Sequence, residues 1–256
     1  MTENLFGSID LVEILFTLFW VFFVALVIYI QRESRREGYP LVHDTPNGTV
    51  TGRAANVGTK TFRLPQGGEV TVPRAEQQRE LAAKPSASFV GAPIEPTGDG
   101  LVDGIGPAAW SGRRDTPDLT LHGEPRIVPM RNQPSFHVDH RDADPRGMSI
   151  ISADGVAVGV VRDAWVDIPE PMIVYLEVDL AADHGDRVVL VPFAFADKIN
   201  KDSGTITVNA LLAHQFQNAP RLQNADTITL LEEDKVTAYF GGGDLLATPE
   251  RSQPLL

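Results

Sequence analysis

The sequence predicts a membrane-anchored protein of mainly β class, in which a single N-terminal transmembrane helix carries an acidic domain that lies in water. Three observations lead to this prediction: an apolar run near the N-terminus, short segments of alternating apolar and polar residues after residue 147, and a scarcity of helical patterns elsewhere. The formal net charge of the 256 residues is −12, which disfavours binding of the domain to nucleic acid or to anionic lipid.

The apolar run extends from Leu11 to Ile30, and Glu13 is its only charged residue. Twenty helical residues rise about 30 Å, the thickness of the hydrocarbon core of a bilayer. The run is apolar on every face, whereas a soluble surface helix would have a polar side. A cleaved signal peptide is the alternative, but residues 1–10 contain no Lys or Arg, and no small-residue cleavage pattern follows the run. We therefore predict a transmembrane helix over residues 11–31.

The charged residues that flank the apolar run predict its orientation. Residues 1–10 contain acidic side chains and no basic one, whereas Arg32, Arg35 and Arg36 follow the run directly. Basic residues next to a membrane span tend to remain on the cytoplasmic side. The sequence therefore predicts an external, periplasmic N-terminus over residues 1–10 and a cytoplasmic C-terminal domain.

Residues 32–120 are predicted to form an extended, loop-rich segment. Proline and glycine recur every few positions, and short β patterns at residues 60–64 and 69–72 flank a glycine pair that is typical of a hairpin turn. Apolar insertions such as Phe89-Val90 and Ala108–Trp110 distinguish the segment from a disordered linker. We expect it to pack onto partner subunits.

Residues 121–243 are predicted to form a small antiparallel β-barrel or sandwich. The side chains of residues 173–180 alternate between two faces, which is typical of a strand with one buried face. The turn dipeptide Asp154-Gly155 separates two further candidates. These two candidates cover residues 148–151 and 156–161, and two more strands are predicted at residues 187–195 and 205–208. All of these strands are short and regularly spaced, as in a barrel.

Two helices are predicted in this domain. A short one covers residues 210–216, and a longer one begins after Thr229, which has the spacing of a capping box with Glu232. The longer helix is expected to continue to about residue 240, where Gly241–Gly243 would end it. Residues 244–256 are then a tail.

The residues alone predict a non-enzymatic anchored module. The chain has no cysteine, which excludes disulfides, thiolate metal sites and cysteine nucleophiles. Histidines are scattered, and His137 and His140 stand without further candidate ligands, so no metal site is predicted. Glycine-rich phosphate-binding motifs and hydrolase nucleophile motifs are absent from the sequence.

Eight short motifs follow one another in order along the chain, within a resemblance that covers about residues 5–243. They are Arg36-Glu-Gly-Tyr-Pro-Leu41, Pro96-Thr-Gly-Asp99, Gly106-Pro-Ala-Ala-Trp110, Arg113-Arg-Asp115, Ile127 to Met130, Trp165-Val-Asp-Ile-Pro-Glu170, Val208-Asn-Ala-Leu211 and Leu230-Leu-Glu-Glu-Asp-Lys235. In this order, behind a single N-terminal span, the motifs resemble the H subunit of the photosynthetic reaction centre of purple bacteria.

The resemblance implies a subunit that is not itself an enzyme and that forms a heterotrimer with the L and M subunits. Such a subunit has a PRC-barrel-like domain, caps the cytoplasmic face of its partners, stabilises the complex and assists proton delivery to the secondary quinone. Its place is the intracytoplasmic (chromatophore) inner membrane, where it contacts lipid and where a light-harvesting antenna ring is a further expected neighbour. This chain is expected to bind no cofactor alone. Bacteriochlorophyll, bacteriopheophytin, quinones and a non-haem iron are expected on the L and M subunits.

The resemblance also implies two groups of proton-transfer residues. A surface loop that admits protons has Asp, His and His in the family, and the aligned residues here are Thr120, His122 and Glu124. An inner acidic group is represented by Asp167 and Glu170. The family has an Arg four residues after this Glu, where this chain has Val174, so the resemblance implies that Glu170 loses the cation that the family pattern places nearby.

The same resemblance predicts residues at the interface with the partner subunits. Ion pairs and hydrogen bonds to L and M are expected from side chains in three of the motifs: Arg36, Tyr39, Arg113, Arg114, Glu232 and Lys235. An alternative function is a free-standing, membrane-tethered β-barrel adaptor. An anchored hydrolase is disfavoured because no nucleophile and base are suitably spaced.

Overall fold

A computed structural model describes residues 11–36, 42–45, 48–51, 57–65, 67–73, 79–89 and 91–251. Contacts divide the chain into two units, one within residues 1–78 and 89–91 and the other within residues 79–88 and 92–256. The boundary predicted at residue 120 therefore falls inside the second unit.

The first unit contains helix α1, Leu11–Ser34, and two small hairpins. The helix is long and apolar enough to cross a membrane, and none of its residues is buried within the chain. Four aromatic rings, Phe16, Phe19, Trp20 and Phe23, contact one another along it. The hairpins pair β1, Val42–Thr45, with β2, Gly48–Thr51, and β3, Lys60–Arg63, with β4, Glu69–Val72. The second hairpin confirms the strands predicted at residues 60–64 and 69–72.

The second unit begins with short elements inside the segment that was predicted to be extended. Strand β5, Ala83–Pro85, pairs with β6, Ile94–Pro96, and helix α2, Gly100–Asp103, follows. The carboxylate of Asp99 caps α2 by accepting a hydrogen bond from the backbone N–H of Leu101 at 2.9 Å. A 3-10 turn at Gly106–Ala108 then packs against the C-terminal helix.

A seven-stranded sheet forms the centre of the second unit, in the order β11-β10-β9-β8-β13-β12 with β7 paired to β9. All pairs are antiparallel except β13 with β8, which is parallel. The strands are β7 Ile127–Pro129, β8 Ser149–Ser152, β9 Ala157–Asp167, β10 Met172–Leu180, β11 Val188–Pro192, β12 Lys198–Asn200 and β13 Thr205–Val208.

Strand β9 is almost twice as long as predicted, because it continues beyond residue 161 to Asp167. Every residue from 163 to 167 is buried, so both faces of this half of the strand are covered. A strand with two covered faces shows no alternation of apolar and polar residues, which is why the pattern did not reveal it. The segment predicted as a strand over residues 187–195 ends earlier, and Phe193–Phe195 form a 3-10 turn.

Strand β7 is held against β9 by an arginine at each end. Arg131 follows β7 and lies between two buried carboxylates, with its Nη1 3.1 Å from Asp163 Oδ2 and 2.7 Å from Glu177 Oε2. Asp163 and Glu177 are cross-strand partners on β9 and β10, where like charges repel. The cation between them offsets this repulsion, and the indole N–H of Trp165 also donates to Glu177 at 2.7 Å. Arg126 precedes β7 and is described below with the candidate site.

Helix α3, Leu230–Leu246, is the last helix described in the unit, and it begins directly after Thr229, as predicted. The Thr229 hydroxyl accepts from the N–H of Glu232 at 3.1 Å, and the Glu232 carboxylate accepts from the N–H of Thr229 at 2.9 Å. Its buried face meets the sheet in a core in which Trp165, Phe216 and Phe240 are fully buried. The shorter helix is a 3-10 segment, Ala213–Asn218, three residues later than the predicted start.

The prediction that Gly241–Gly243 would end α3 was wrong. The helix continues through all three glycines, and at Gly242 and Gly243 the close approach of neighbouring residues leaves no room for a side chain. A Cβ on Gly242 would lie 2.5 Å from that of Ala108, and one on Gly243 would meet the carbonyl oxygen of Ala210. The domain also extends past residue 243, since the guanidinium of Arg251 donates to the carbonyls of Ala210 and Gly243, each at 3.1 Å.

Replacing Gly242 by alanine is expected to destabilise the second unit by about 1–3 kcal/mol, because the added methyl group clashes with Ala108. Gly241→Ala is the matched control: its Cβ would meet only Phe195 at 3.7 Å, and alanine favours helix over glycine by up to about 1 kcal/mol. Thermal unfolding of the full chain in detergent measures both. Equal destabilisation by the two variants would contradict this account of the glycine triplet.

Candidate functional site

The guanidinium of Arg126 lies at the centre of a group of carboxylates that the sequence places far apart. Its Nε is 2.7 Å from Asp167 Oδ2, and its Nη2 is 3.0 Å from Glu170 Oε1. Its Nη1 is 3.8 Å from Asp118 Oδ2. We call these four residues the Arg126 cluster. It contains both members of the predicted inner acidic group.

Strand pairing explains why these residues meet. Ile127 lies opposite Asp167 in the antiparallel pair of β7 and β9, so the residue before β7 adjoins the end of β9. The N–H of Ile168 donates to the carbonyl of Arg126 at 3.0 Å and continues the contact past the strand end. In the turn that follows, the N–H of Glu170 donates to Asp167 Oδ1 at 3.2 Å, which places both carboxylates beside Arg126.

The cluster runs from the interior of the domain to its surface. The side chain of Asp167 is 8% exposed, that of Arg126 is 31% exposed and that of Glu170 is 68% exposed. The hydrogen bond with Asp167 is the main reason that the pKa of Arg126 is raised, so this guanidinium is a permanent cation. Val174 supplies no cation to Glu170, but Arg126, the residue before β7, supplies one at 3.0 Å.

The loop with His122 and Glu124 adjoins the cluster through Asp118. The loop is a tight reversal in which the N–H of Thr120 donates to the carbonyl of Glu124 at 2.8 Å and the N–H of Arg126 donates to that of Asp118 at 2.9 Å. Thr120 is buried, and its hydroxyl oxygen accepts from the N–H groups of His122 and Glu124, each at 3.3 Å. Thr120 therefore shapes the loop, while the two other side chains are exposed to water.

Glu233, on the first turn of α3, is an acidic residue of this region that the sequence reasoning did not single out. Its Oε2 accepts a hydrogen bond from the hydroxyl of Tyr175 at 3.4 Å. Burial raises the pKa of this carboxyl, and the negative charge of Asp118 raises it further, against the lowering effect of the Tyr175 hydrogen bond. Burial likewise raises the pKa of Tyr175, which stays a neutral donor. A carboxyl with a raised pKa beside a charged cluster is a candidate for holding a proton.

The predicted interface residues have different surroundings. Arg113 is exposed and lies 3.6 Å from Asp234, and Arg36, in the turn after α1, lies 3.0 Å from Glu33 near the end of that helix. Lys235 lies over the ring of Trp110, 4.6 Å from its centroid. The side chain of Arg114 is exposed.

The assignment of Glu232 to the interface was wrong, because this side chain is 4% exposed. Its carboxylate caps α3 and also accepts from the N–H of Gln223 at 2.6 Å, so all its bonding is internal. Tyr39 lies outside the described residues.

Replacing Glu233 by glutamine is expected to change the pH dependence of stability. Because burial raises the pKa of Glu233, the folded state keeps a proton that the unfolded chain has lost. The stability that this group contributes is complete below about pH 4.5 and falls as the pH rises through the folded-state pKa. The variant keeps an acceptor for Tyr175 but cannot lose a proton. Its thermal midpoint should exceed that of the wild type by a few degrees near neutral pH and match it in acid.

The control for this experiment is Asp202→Asn, which removes an exposed carboxylate from the turn between β12 and β13. It should shift the midpoint little at either pH. A Glu233→Gln variant whose midpoint follows that of the wild type at every pH would contradict the burial of a charge at this position.

Two family models match the chain. The model of the photosynthetic reaction centre H-chain N-terminal region matches residues 3–132, and the model of the PRC-barrel domain matches residues 137–215. Together with helix α1, the mainly β unit and the C-terminal helix, they confirm the predicted fold class. They imply association with other reaction centre subunits and, with the apolar helix, association with a membrane. Because the first match covers more than half of the chain, the protein belongs to the family of photosynthetic reaction centre H chains.

Proposed function

We propose that this chain caps the cytoplasmic face of the L and M subunits, stabilises their complex and assists proton delivery to the secondary quinone during light-driven electron transfer. The observation that carries the proposal is the Arg126 cluster. In it, one guanidinium holds the carboxylates Asp167 and Glu170 together with Asp118, which lies at the base of the exposed loop with His122 and Glu124.

The cluster has the chemistry of a proton relay. Carboxylates and imidazoles exchange protons with water and with one another when they are a hydrogen bond or one water molecule apart. His122 and Glu124 are open to solvent and supply groups that can take up protons. Asp118 lies between this loop and Arg126, whose fixed charge orients Asp167 and Glu170. Glu170, the most exposed of them, is then the group that can face a partner subunit.

Helix α1 supports the membrane part of the proposal. None of its residues is buried within the chain, and its four aromatic rings offer a broad face to neighbouring transmembrane helices or to an antenna ring. Arg32, Arg35 and Arg36 at its C-terminal end favour a cytoplasmic second unit and a periplasmic N-terminus. The location that fits is the intracytoplasmic inner membrane of a phototrophic bacterium.

The proposed role is that of an accessory subunit and not of an enzyme. Bacteriochlorophyll, bacteriopheophytin, quinones and non-haem iron would lie on the L and M subunits, and this chain would supply charged groups and shield the quinone pocket from bulk water. Family membership favours this role over a free-standing adaptor. Arg113, Arg114 and Lys235 remain candidates for contacts with L and M, because their side chains are wholly or partly exposed.

The proton-transfer role predicts a kinetic defect in the combined variant Asp167→Asn and Glu170→Gln. Loss of both carboxylates removes the groups that would transfer protons towards the secondary quinone. Transfer of the second electron to this quinone should therefore slow by about tenfold or more. Flash spectroscopy of the purified complex, with proton uptake followed by a pH-indicating dye, measures both steps. First-electron transfer, which needs no proton, should keep its rate.

Asp202→Asn is again the matched control, since it removes a carboxylate of the same kind away from the cluster. It should leave both rates unchanged. Wild-type rates of second-electron transfer and proton uptake in the combined variant would refute the relay.

The partner assignment predicts the spectrum of the complex that is isolated through an affinity tag on this chain. From membranes of phototrophically grown cells, the preparation should contain the near-infrared bands of bacteriochlorophyll and two further membrane subunits. A preparation without pigment would contradict the role as reaction centre subunit, because an adaptor would be isolated free of bacteriochlorophyll.

A further inference from the structure

A cleft on the second unit contains four arginines, and within the described part of the chain two of them are paired with acidic side chains and two are not. It has a volume of about 360 Å³ and lies beside β11, between the sheet and residues 220–225. Arg131 and Arg162 both bind Glu177, at 2.7 and 3.4 Å, and their charges are largely offset. Arg187 and Arg221 line the same cleft and pair with no carboxylate among the described residues.

Arg187 has hydrogen-bonding capacity that the described part of the chain does not use. Its Nη2 donates to the backbone carbonyls of Phe216 and Ala219, which fixes the guanidinium in place. Its Nε and Nη1 are buried and meet no acceptor among the residues that the structure describes. Burial lowers the pKa of Arg187, and the neighbouring positive charge of Arg221 lowers it further.

This arrangement is unfavourable for the chain alone. A guanidinium is a rigid fork of five donors, and leaving buried donors without acceptors costs free energy. A second cation at close range adds repulsion in a cleft with reduced access to water. An oxyanion in the cleft would accept hydrogen bonds from the exposed guanidinium of Arg221, and its negative charge would offset the charges of both Arg221 and Arg187.

We propose that the cleft binds a phosphate-type oxyanion between Arg187 and Arg221. Pro220 and Leu222 add an apolar wall beside these cations, so the site suits a phosphate group attached to a small organic body. Such a group comes either from a soluble phosphorylated molecule or from a phospholipid headgroup. This site is distinct from the Arg126 cluster and does not depend on the proposed proton transfer.

The test uses isothermal titration of the full chain in nanodiscs of zwitterionic lipid. Inorganic phosphate is one probe, and short-chain phosphatidic acid below its micelle concentration is the other. Each should bind saturably with one site per chain. Tighter binding of phosphatidic acid would identify a lipid headgroup as the source, whereas equal or tighter binding of inorganic phosphate would identify a soluble phosphate.

Arg221→Gln is the informative variant, because Arg221 is exposed and its removal leaves the Arg187 contacts intact. Loss of one charge-assisted contact should weaken binding about tenfold or more. Arg141→Gln removes another exposed arginine, which pairs with Asp139 outside the cleft, and should bind as the wild type does. Arg187→Gln, with folding checked by circular dichroism, should also weaken binding, because it removes the second positive charge of the cleft.

Three results would overturn the proposal. The first is the absence of saturable binding by either probe. The second is equal affinity in the Arg221→Gln and Arg141→Gln variants. The third is complete displacement of phosphate by chloride at the same ionic strength, which would mean that the cleft only screens charge.

Discussion

The second unit depends on one constraint: two carboxylates face each other across neighbouring strands and need a cation between them. Asp163 and Glu177 are cross-strand partners, and both are buried. Arg131 satisfies both, and removing one partner of such a buried group typically costs about 3–5 kcal/mol. Because Arg131 lies two residues after the end of β7, this contact fixes the short strand against β9. The other end of β7 is fixed in the same way, by Arg126 on Asp167.

Two arginines therefore attach β7 to two aspartates of β9 that are four residues apart in the sequence. The two ends of β7 have different surroundings. At the Arg131 end the carboxylates are buried and the charges are balanced internally. At the Arg126 end the group opens towards water through Glu170 and the loop with His122. The first arrangement stabilises the sheet. The second leaves carboxylates in a position where they can exchange protons, which is the reason that the Arg126 cluster carries the proposed function.

Sequence reasoning identified the elements whose signal is local. Patterns among neighbouring residues predicted the anchor, the hairpin of β3 and β4, the alternating strand β10 and the capping box of α3. It missed the second half of β9, because a strand covered on both faces has no alternating pattern. It also ended α3 too early. Glycine lowers helix propensity, but the close approach of Ala108 and Ala210, more than 30 residues away, outweighs that local preference.

The candidate site likewise has residues that the sequence identified and contacts that only the tertiary structure revealed. The sequence by itself determined the membrane anchor, the predominance of β-structure, and, through the motifs, Asp167, Glu170 and His122 as residues of interest. Only the tertiary structure decided which charges meet: Arg126 takes the place of the cation that Val174 does not supply, Glu233 joins the acidic region, and Glu232 turns inward as a helix cap. The reason is physical. Hydrophobicity and strand alternation are properties of neighbouring residues, whereas an ion pair between residues 41 positions apart exists only after strand pairing has set the distance.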